Sequence, residues 1–147
     1  MRVIITDGGR KAAGFKGAAR GDCVARAIAI ASGRPYREVY DRLAAGTGAQ
    51  RATKRTGKRR ASAGEGINVK RKWFRDYMAE LGFAWTPTMG IGTGCTVHLK
   101  ASELPNGRLI VSVSKHVCAV IDGVIHDVYN PDRGGTRCVY GWWRLEA

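Results

Sequence analysis

A chain of 147 residues with 44% hydrophobic content is long enough to bury a core of its own, and a single domain over 1–147 is expected. No apolar run approaches the roughly 18 residues of a membrane span, and Val3-Ile4-Ile5 is too short for a secretory signal, so no membrane association and a cytoplasmic location are expected. The net charge of +13 is uneven: nine Lys and Arg lie between Arg51 and Lys72 with one acid, Glu65, so the basicity is mainly a local feature.

Residues 1–21 open with a short strand at Val3–Ile5 and continue through Gly8, Gly9, Gly14, Gly17 and Gly21, a composition that predicts a surface-hugging loop. Cys23 to Ser32 then reads as a helix: alanine-rich, with Asp22 suited to the N-cap, Gly33 to the C′ position and Pro35 forbidding continuation. It is apolar nearly all round except at Arg26, which predicts a buried central helix. Cys23 falls on its first turn, where unpaired backbone N–H groups and the positive end of the helix dipole favour thiolate. The bland alternative is a small residue filling space at a helix start.

Pro35 to Ala45 predicts a second helix, with Pro35 at N1, a Tyr36/Val39/Tyr40/Leu43 stripe and Gly46 as its stop. From about 46 to 66 large apolar residues are almost lacking, and a basic flexible loop is expected. Its cations Lys54, Arg55, Lys58, Arg59 and Arg60 suit an acidic partner or nucleic acid, or else form a solvated insertion. No aromatic residues are interleaved with them, which argues against base stacking.

Val69, Trp73, Tyr77 and Leu81, backed by Phe74 and Met78 and closed by Gly82, predict a third helix whose aromatic stripe is core. Ala84-Trp85-Thr86 reads as a short strand. The glycines from Gly90 to Gly94 lack a following Gly-Lys-Ser/Thr, so they suit a flexible segment lining a cleft better than a phosphate cradle. His98 has no obvious carboxylate partner. The cysteines at 23, 95, 118 and 138 show no CxxC spacing, which excludes the usual zinc patterns, and four free thiols are expected in a reducing cytosol, with no metal or cofactor.

Arg108 to Ser114 predicts a strand running into His116, and Asp122-Gly123 between two apolar runs predicts a two-residue hairpin pairing Ile121 with Val124. In that register Cys118 faces Asp127 and His116 faces Tyr129. His116 and Asp127 become diagonal neighbours on one face, about 5.5–8 Å apart at the backbone, within reach of a hydrogen bond. Cys118 shares that face, but a strand-centre cysteine gains no helix dipole and its burial raises its pKa. Asn130 to Gly135 breaks the chain before a last strand around Cys138 to Leu145, completing a C-terminal antiparallel sheet.

Asp22-Cys23 at the start of a buried helix, His116 ahead of Ala119-Val120-Ile121-Asp122-Gly123, and Asp127 on the next strand together resemble the papain-like cysteine peptidases. Within that superfamily the chain looks like the C39-like and NlpC/P60-like branches, and its size and basic loop are reminiscent of phage and prophage proteins, whose location is the host cytoplasm. The resemblance implies an α+β fold with N-terminal helices, the nucleophile on a central helix, packed on the C-terminal antiparallel sheet. It implies a thiol hydrolase acting on a peptide or protein, with Cys23 as nucleophile, His116 as base and Asp127 as its orienter, and Asn130 as the runner-up for the third role. Many such enzymes carry a Gln upstream of the cysteine as an oxyanion donor. Here the window Gly14 to Arg20 has none, and Lys16, Arg20 and Asn68 are the candidates to replace it. Two other readings stay open: a catalytically silent papain-like binding protein contacting nucleic acid or an acidic partner through the basic loop, and a structural or host-interaction protein.

Overall fold

A computed structural model of the protein describes residues 1–17, 21–49 and 67–146. A short strand β1 (Val3–Ile5) precedes three helices, α1 (Cys23–Ser32), α2 (Tyr36–Gly48) and α3 (Lys72–Leu81). Strands β2 (Phe83–Pro87), β3 (Arg108–Val113), β4 (His116–Ile121), β5 (Val124–Asp127) and β6 (Val139–Leu145) follow. All six strands form one sheet in the order β1-β5-β4-β3-β6-β2, so the fold is α+β.

The hairpin between β4 and β5 turns on Asp122 and Gly123, both in the left-handed region at φ 47° and 80°, as a type I′ turn requires. It pairs Ile121 with Val124, Val120 with Ile125 and Ala119 with His126, the register expected from the sequence. The C-terminal strands β2 to β6 pair antiparallel, as expected, but the N-terminal strand adds a different pairing. β1 lies parallel to β5, with Val3 opposite Ile125, so the sheet is mixed. Parallel neighbours need a long crossover, and here everything between the first and fifth strands supplies it. The N-terminal ammonium, 3.0 Å from Asp132 Oδ2, anchors this edge.

Both faces of the central strands β3 and β4 are buried. On one, Ala25, Ile28 and Ala31 of α1 belong to a core with Val39, Leu43, Phe74 and Met78 of the other helices and with Ile110, Val117, Ala119 and Trp143 of the strands. On the other, Leu99 and Leu104 cover Leu109, Val111, Cys118, Val120 and Ile125. Burial on both faces explains why β3 and β4 read as continuous apolar runs rather than alternating ones. Small alanines let α1 lie between the sheet and the other helices, and Gly33 ends it in the left-handed conformation at φ 74°.

Two helix boundaries differ from those expected. α3 starts at Lys72 instead of Val69, because the Asn68 side-chain oxygen accepts the Lys70 N–H at 3.0 Å and Arg71 is extended. α2 runs through Gly46 to Gly48, with Pro35 at its N-cap rather than at N1. Gly46 serves packing instead of termination: a Cβ there would lie 2.3 Å from the Trp73 ring, so a side chain would force α2 and α3 apart. Residues 46–48, expected in the basic loop, are therefore helical. The rest of that loop, with Lys54, Arg55, Lys58, Arg59 and Arg60, lies outside the described residues.

Candidate active site

Cys23 is the first residue of α1. Asp22 occupies the N-cap position, but its side chain does not cap the helix, contrary to expectation. The carboxylate is fully buried, and its oxygens go to stronger partners. Oδ1 pairs with the Arg26 guanidinium one turn on. Oδ2 accepts the Tyr36 hydroxyl at 2.6 Å and Arg10 Nη1 at 3.4 Å. A buried carboxylate needs charge and hydroxyl partners more than a helix end needs its cap. The first-turn N–H groups beside the Cys23 sulfur are thus left uncapped by Asp22.

His116 opens β4, directly after the two-residue Ser114-Lys115 turn, with Lys115 at φ 56°. The buried Arg137 guanidinium holds this turn by donating to Ser114 O, and it reaches Pro131 O at 3.3 Å. His116 Nε2 donates to Asp127 Oδ2 at 2.7 Å, the diagonal pair expected from the hairpin register. Asp127 Oδ1 accepts the Val128 N–H at 2.7 Å and lies 3.6 Å from Arg26 Nη2. A carboxylate only accepts, so the proton of the neutral ring sits on Nε2; Cys23 is near enough that the thiol and the imidazole shift each other's titration.

Sheet geometry also delivers a backbone donor to the thiol. In an antiparallel ladder alternate residues point their N–H groups at one neighbour, and on β4 Ile121 and Ala119 face β5. Val117 is next in that series. Beyond Ala119 and His126 the strand pairing stops, which leaves the Val117 N–H to act on the Cys23 thiol and favour its thiolate.

Burial pushes the Cys23 thiol up. His116 and the Val117 N–H, with the positive charges of His116 and Arg26, more than offset this and hold it below the ordinary thiol value. Burial alone would lower His116, but its hydrogen bonds to Asp127 and Cys23, with their charges, raise it to about 9. Cys23 is shifted toward thiolate and His116 toward imidazolium, the two directions that favour a charged pair. Cys118 is fully buried, and burial, followed by the Asp127 charge, pushes its thiol up.

The remaining candidates lie elsewhere. The Asn130 side-chain oxygen closes a turn onto the Asp132 N–H at 3.0 Å, while Asp127 holds the His116 ring. Lys16 lines a cleft of about 750 Å³ with Arg10, Lys11, Phe15 and Val128, the residue after Asp127. Asn68 is engaged in its turn before α3, and Arg20 lies outside the described residues. The residues not anticipated are Arg26, Asp22, Tyr36, Arg10 and Arg137. The i,i+4 spacing of Asp22 and Arg26 was a legible signal for one pair; Tyr36, Arg10 and Arg137 reach the site only through tertiary structure.

Two other expectations are corrected. Cys95 and Cys138 form a disulfide, so of the four cysteines Cys23 and Cys118 are the free thiols. His98 does have a carboxylate partner, because the turn Ala101–Glu103 brings Glu103 Oε1 to 3.2 Å from its Nδ1. Among the described residues no group of three or more His, Cys, Asp or Glu is placed to hold a metal ion, and no helix is long and apolar enough to cross a membrane. No protein-family model, curated protein or solved structure matches the chain.

Proposed function

We propose that the protein is a cysteine-dependent hydrolase of papain-like type that cleaves a peptide, isopeptide or related amide. One observation carries the reading: His116 Nε2 lies 2.7 Å from the Asp127 carboxylate, and the same imidazole is the neighbour that draws the Cys23 thiol, on the first residue of a helix, toward thiolate. The order of elements supports it, with a thiol-bearing central helix preceding the strands that supply His116 and Asp127.

In this reading the Cys23 thiolate attacks the scissile carbonyl carbon. The developing oxyanion takes a hydrogen bond from the backbone N–H of Cys23, one of the first-turn donors without an intrahelical partner. His116 passes its Nδ1 proton to the leaving amine, and the acyl group remains on sulfur as a thioester. Neutral His116 then takes a proton from the water that attacks the thioester carbonyl; the C–S bond breaks, the acyl group leaves as a carboxylic acid, and the thiolate–imidazolium pair is restored. Asp127 keeps the ring oriented throughout. The cleft that Lys16 lines reaches this site only at Val128, the neighbour of Asp127 in the chain.

Fluorogenic peptide amides and isopeptide-linked peptides test the reading. Turnover by the wild type and its loss in Cys23→Ala, by about 10⁴-fold or more, is expected. Activity retained in Cys23→Ala would refute it. So would a wild type that neither turns over the panel nor forms a Cys23 adduct with peptide aldehydes, particularly if it binds oligonucleotides in a salt-sensitive way that Cys23→Ala leaves unchanged.

A further inference from the structure

A second sulfur–imidazole–carboxylate arrangement lies where Cys95 joins Cys138, the residue before β6. The Cys95 sulfur is 3.7 Å from His98 Nε2, and His98 Nδ1 is 3.2 Å from Glu103 Oε1. Because the carboxylate accepts from Nδ1, the neutral ring turns a bare Nε2 toward Cys95, and the protonated ring turns an N–H there. The same Glu103 oxygen accepts the His98 backbone N–H at 3.2 Å, which fixes the carboxylate relative to the ring. Cys95 is exposed and Cys138 is half-buried, so a reagent in solvent can reach the bond.

The scaffold does not depend on the disulfide to bring its two sulfurs together. Leu99 N–H donates to Arg137 O at 2.8 Å, and Val139 N–H donates to Val97 O at 2.8 Å. These bonds frame an antiparallel bridge between His98 and Cys138. With the S–S bond open, the backbone still holds the two thiols as neighbours, so closing it again costs little loop entropy.

We propose that Cys95 and Cys138 form a reversible thiol–disulfide exchange site whose reductant is a small-molecule thiol, with His98, held by Glu103, serving the departing Cys95 sulfur. In the first step the reductant's thiolate attacks Cys138 Sγ. An S–S bond forms between them, the Cys95–Cys138 bond breaks, and the electron pair leaves on Cys95, which takes a proton from the His98 imidazolium. In the second step another thiolate attacks the reductant's sulfur in the mixed disulfide and releases Cys138, which is protonated by water. Two reductant thiols are thereby oxidised to one disulfide, and the protein disulfide is reduced to two thiols. This site is independent of the hydrolase reading.

The test treats the native, oxidised protein with 2-mercaptoethanol or dithiothreitol at pH 7, quenches with N-ethylmaleimide, and follows the Cys95 and Cys138 peptides by mass spectrometry. Complete reduction without loss of the circular dichroism of the fold is expected, with re-formation of the bond on exposure to oxidised 2-mercaptoethanol. Because a departing sulfur that is protonated as it leaves departs faster, His98→Ala is expected to slow reduction roughly tenfold and Glu103→Gln to slow it less. His98→Gln serves if His98→Ala does not fold. Equal rates in wild type and the folded His98 variant would overturn the proposal. So would a bond that yields only in denaturant, or two thiols that the oxidised reagent does not join.

Discussion

Asp22→Ala is expected to lower folding stability by about 3–5 kcal/mol, measured by urea unfolding, because removing one partner of a buried pair strands the other. Asp22 is fully buried and Arg26 is nearly so. Among the described residues, without Asp22 the Arg26 charge keeps only Asp127, at 3.6 Å, and its Nε already has no hydrogen-bond partner. The Tyr36 hydroxyl, 2.6 Å from the carboxylate, loses its acceptor as well. Tyr36→Phe isolates that one bond and is expected to cost about 1–3 kcal/mol at most. A loss under about 1 kcal/mol in Asp22→Ala would mean that Arg26 finds another partner or solvent, and that the ion network contributes little to the fold.

Asp127→Asn is expected to reduce hydrolysis by about 10⁴-fold while leaving the fold in place. An Asn side chain still accepts the Val128 N–H through its carbonyl oxygen, the role Oδ1 fills at 2.7 Å. Its amide nitrogen then faces His116 Nε2. Two donors cannot share a hydrogen bond, so the imidazole shifts its proton to Nδ1 and presents an N–H, not a base, to the thiol. The pH profile should move too. The hydrogen bond to Asp127 is the largest influence raising His116, to about 9, so a rate that needs the imidazolium is fully present at lower pH and falls as pH rises through about 9. In Asp127→Asn that alkaline limb is expected at lower pH. An unmoved limb, or a rate within tenfold of wild type, would remove Asp127 from the orienting role.

The geometry around His116 was legible in the sequence because local rules produce it. Asp122-Gly123 allows one tight turn, the turn sets the register, and the register sets His116 diagonal to Asp127. α1 was legible for a similar reason, its end being marked by Gly33 and Pro35 and its burial by alanine. Features that depend on distant segments left no such trace. Val3 meets Ile125 across most of the chain, and nothing in Val3-Ile4-Ile5 specifies a parallel partner. Cys95 and Cys138 are 43 residues apart, and their pairing follows from the backbone bonds at Leu99 and Val139 rather than from spacing. Gly46 shows a different ambiguity: a glycine under an aromatic ring at a helix crossing looks, in sequence, like a helix stop. Arg26 was visible as the polar exception on α1, and its i−4 neighbour Asp22 was the clue that the exception was an internal ion pair.

The central claim is that Cys23 exists as a thiolate paired with the His116 imidazolium. Iodoacetamide reactivity of each free cysteine between pH 5 and 9, read by peptide mass spectrometry on wild type and His116→Ala, tests it directly. The account predicts that Cys23 alkylates rapidly below pH 7, that Cys118 does not react in the folded protein, and that His116→Ala returns Cys23 to the behaviour of an ordinary thiol titrating near 8.5. A Cys23 that titrates near 8.5 in the wild type, or reacts identically in both proteins, would contradict it.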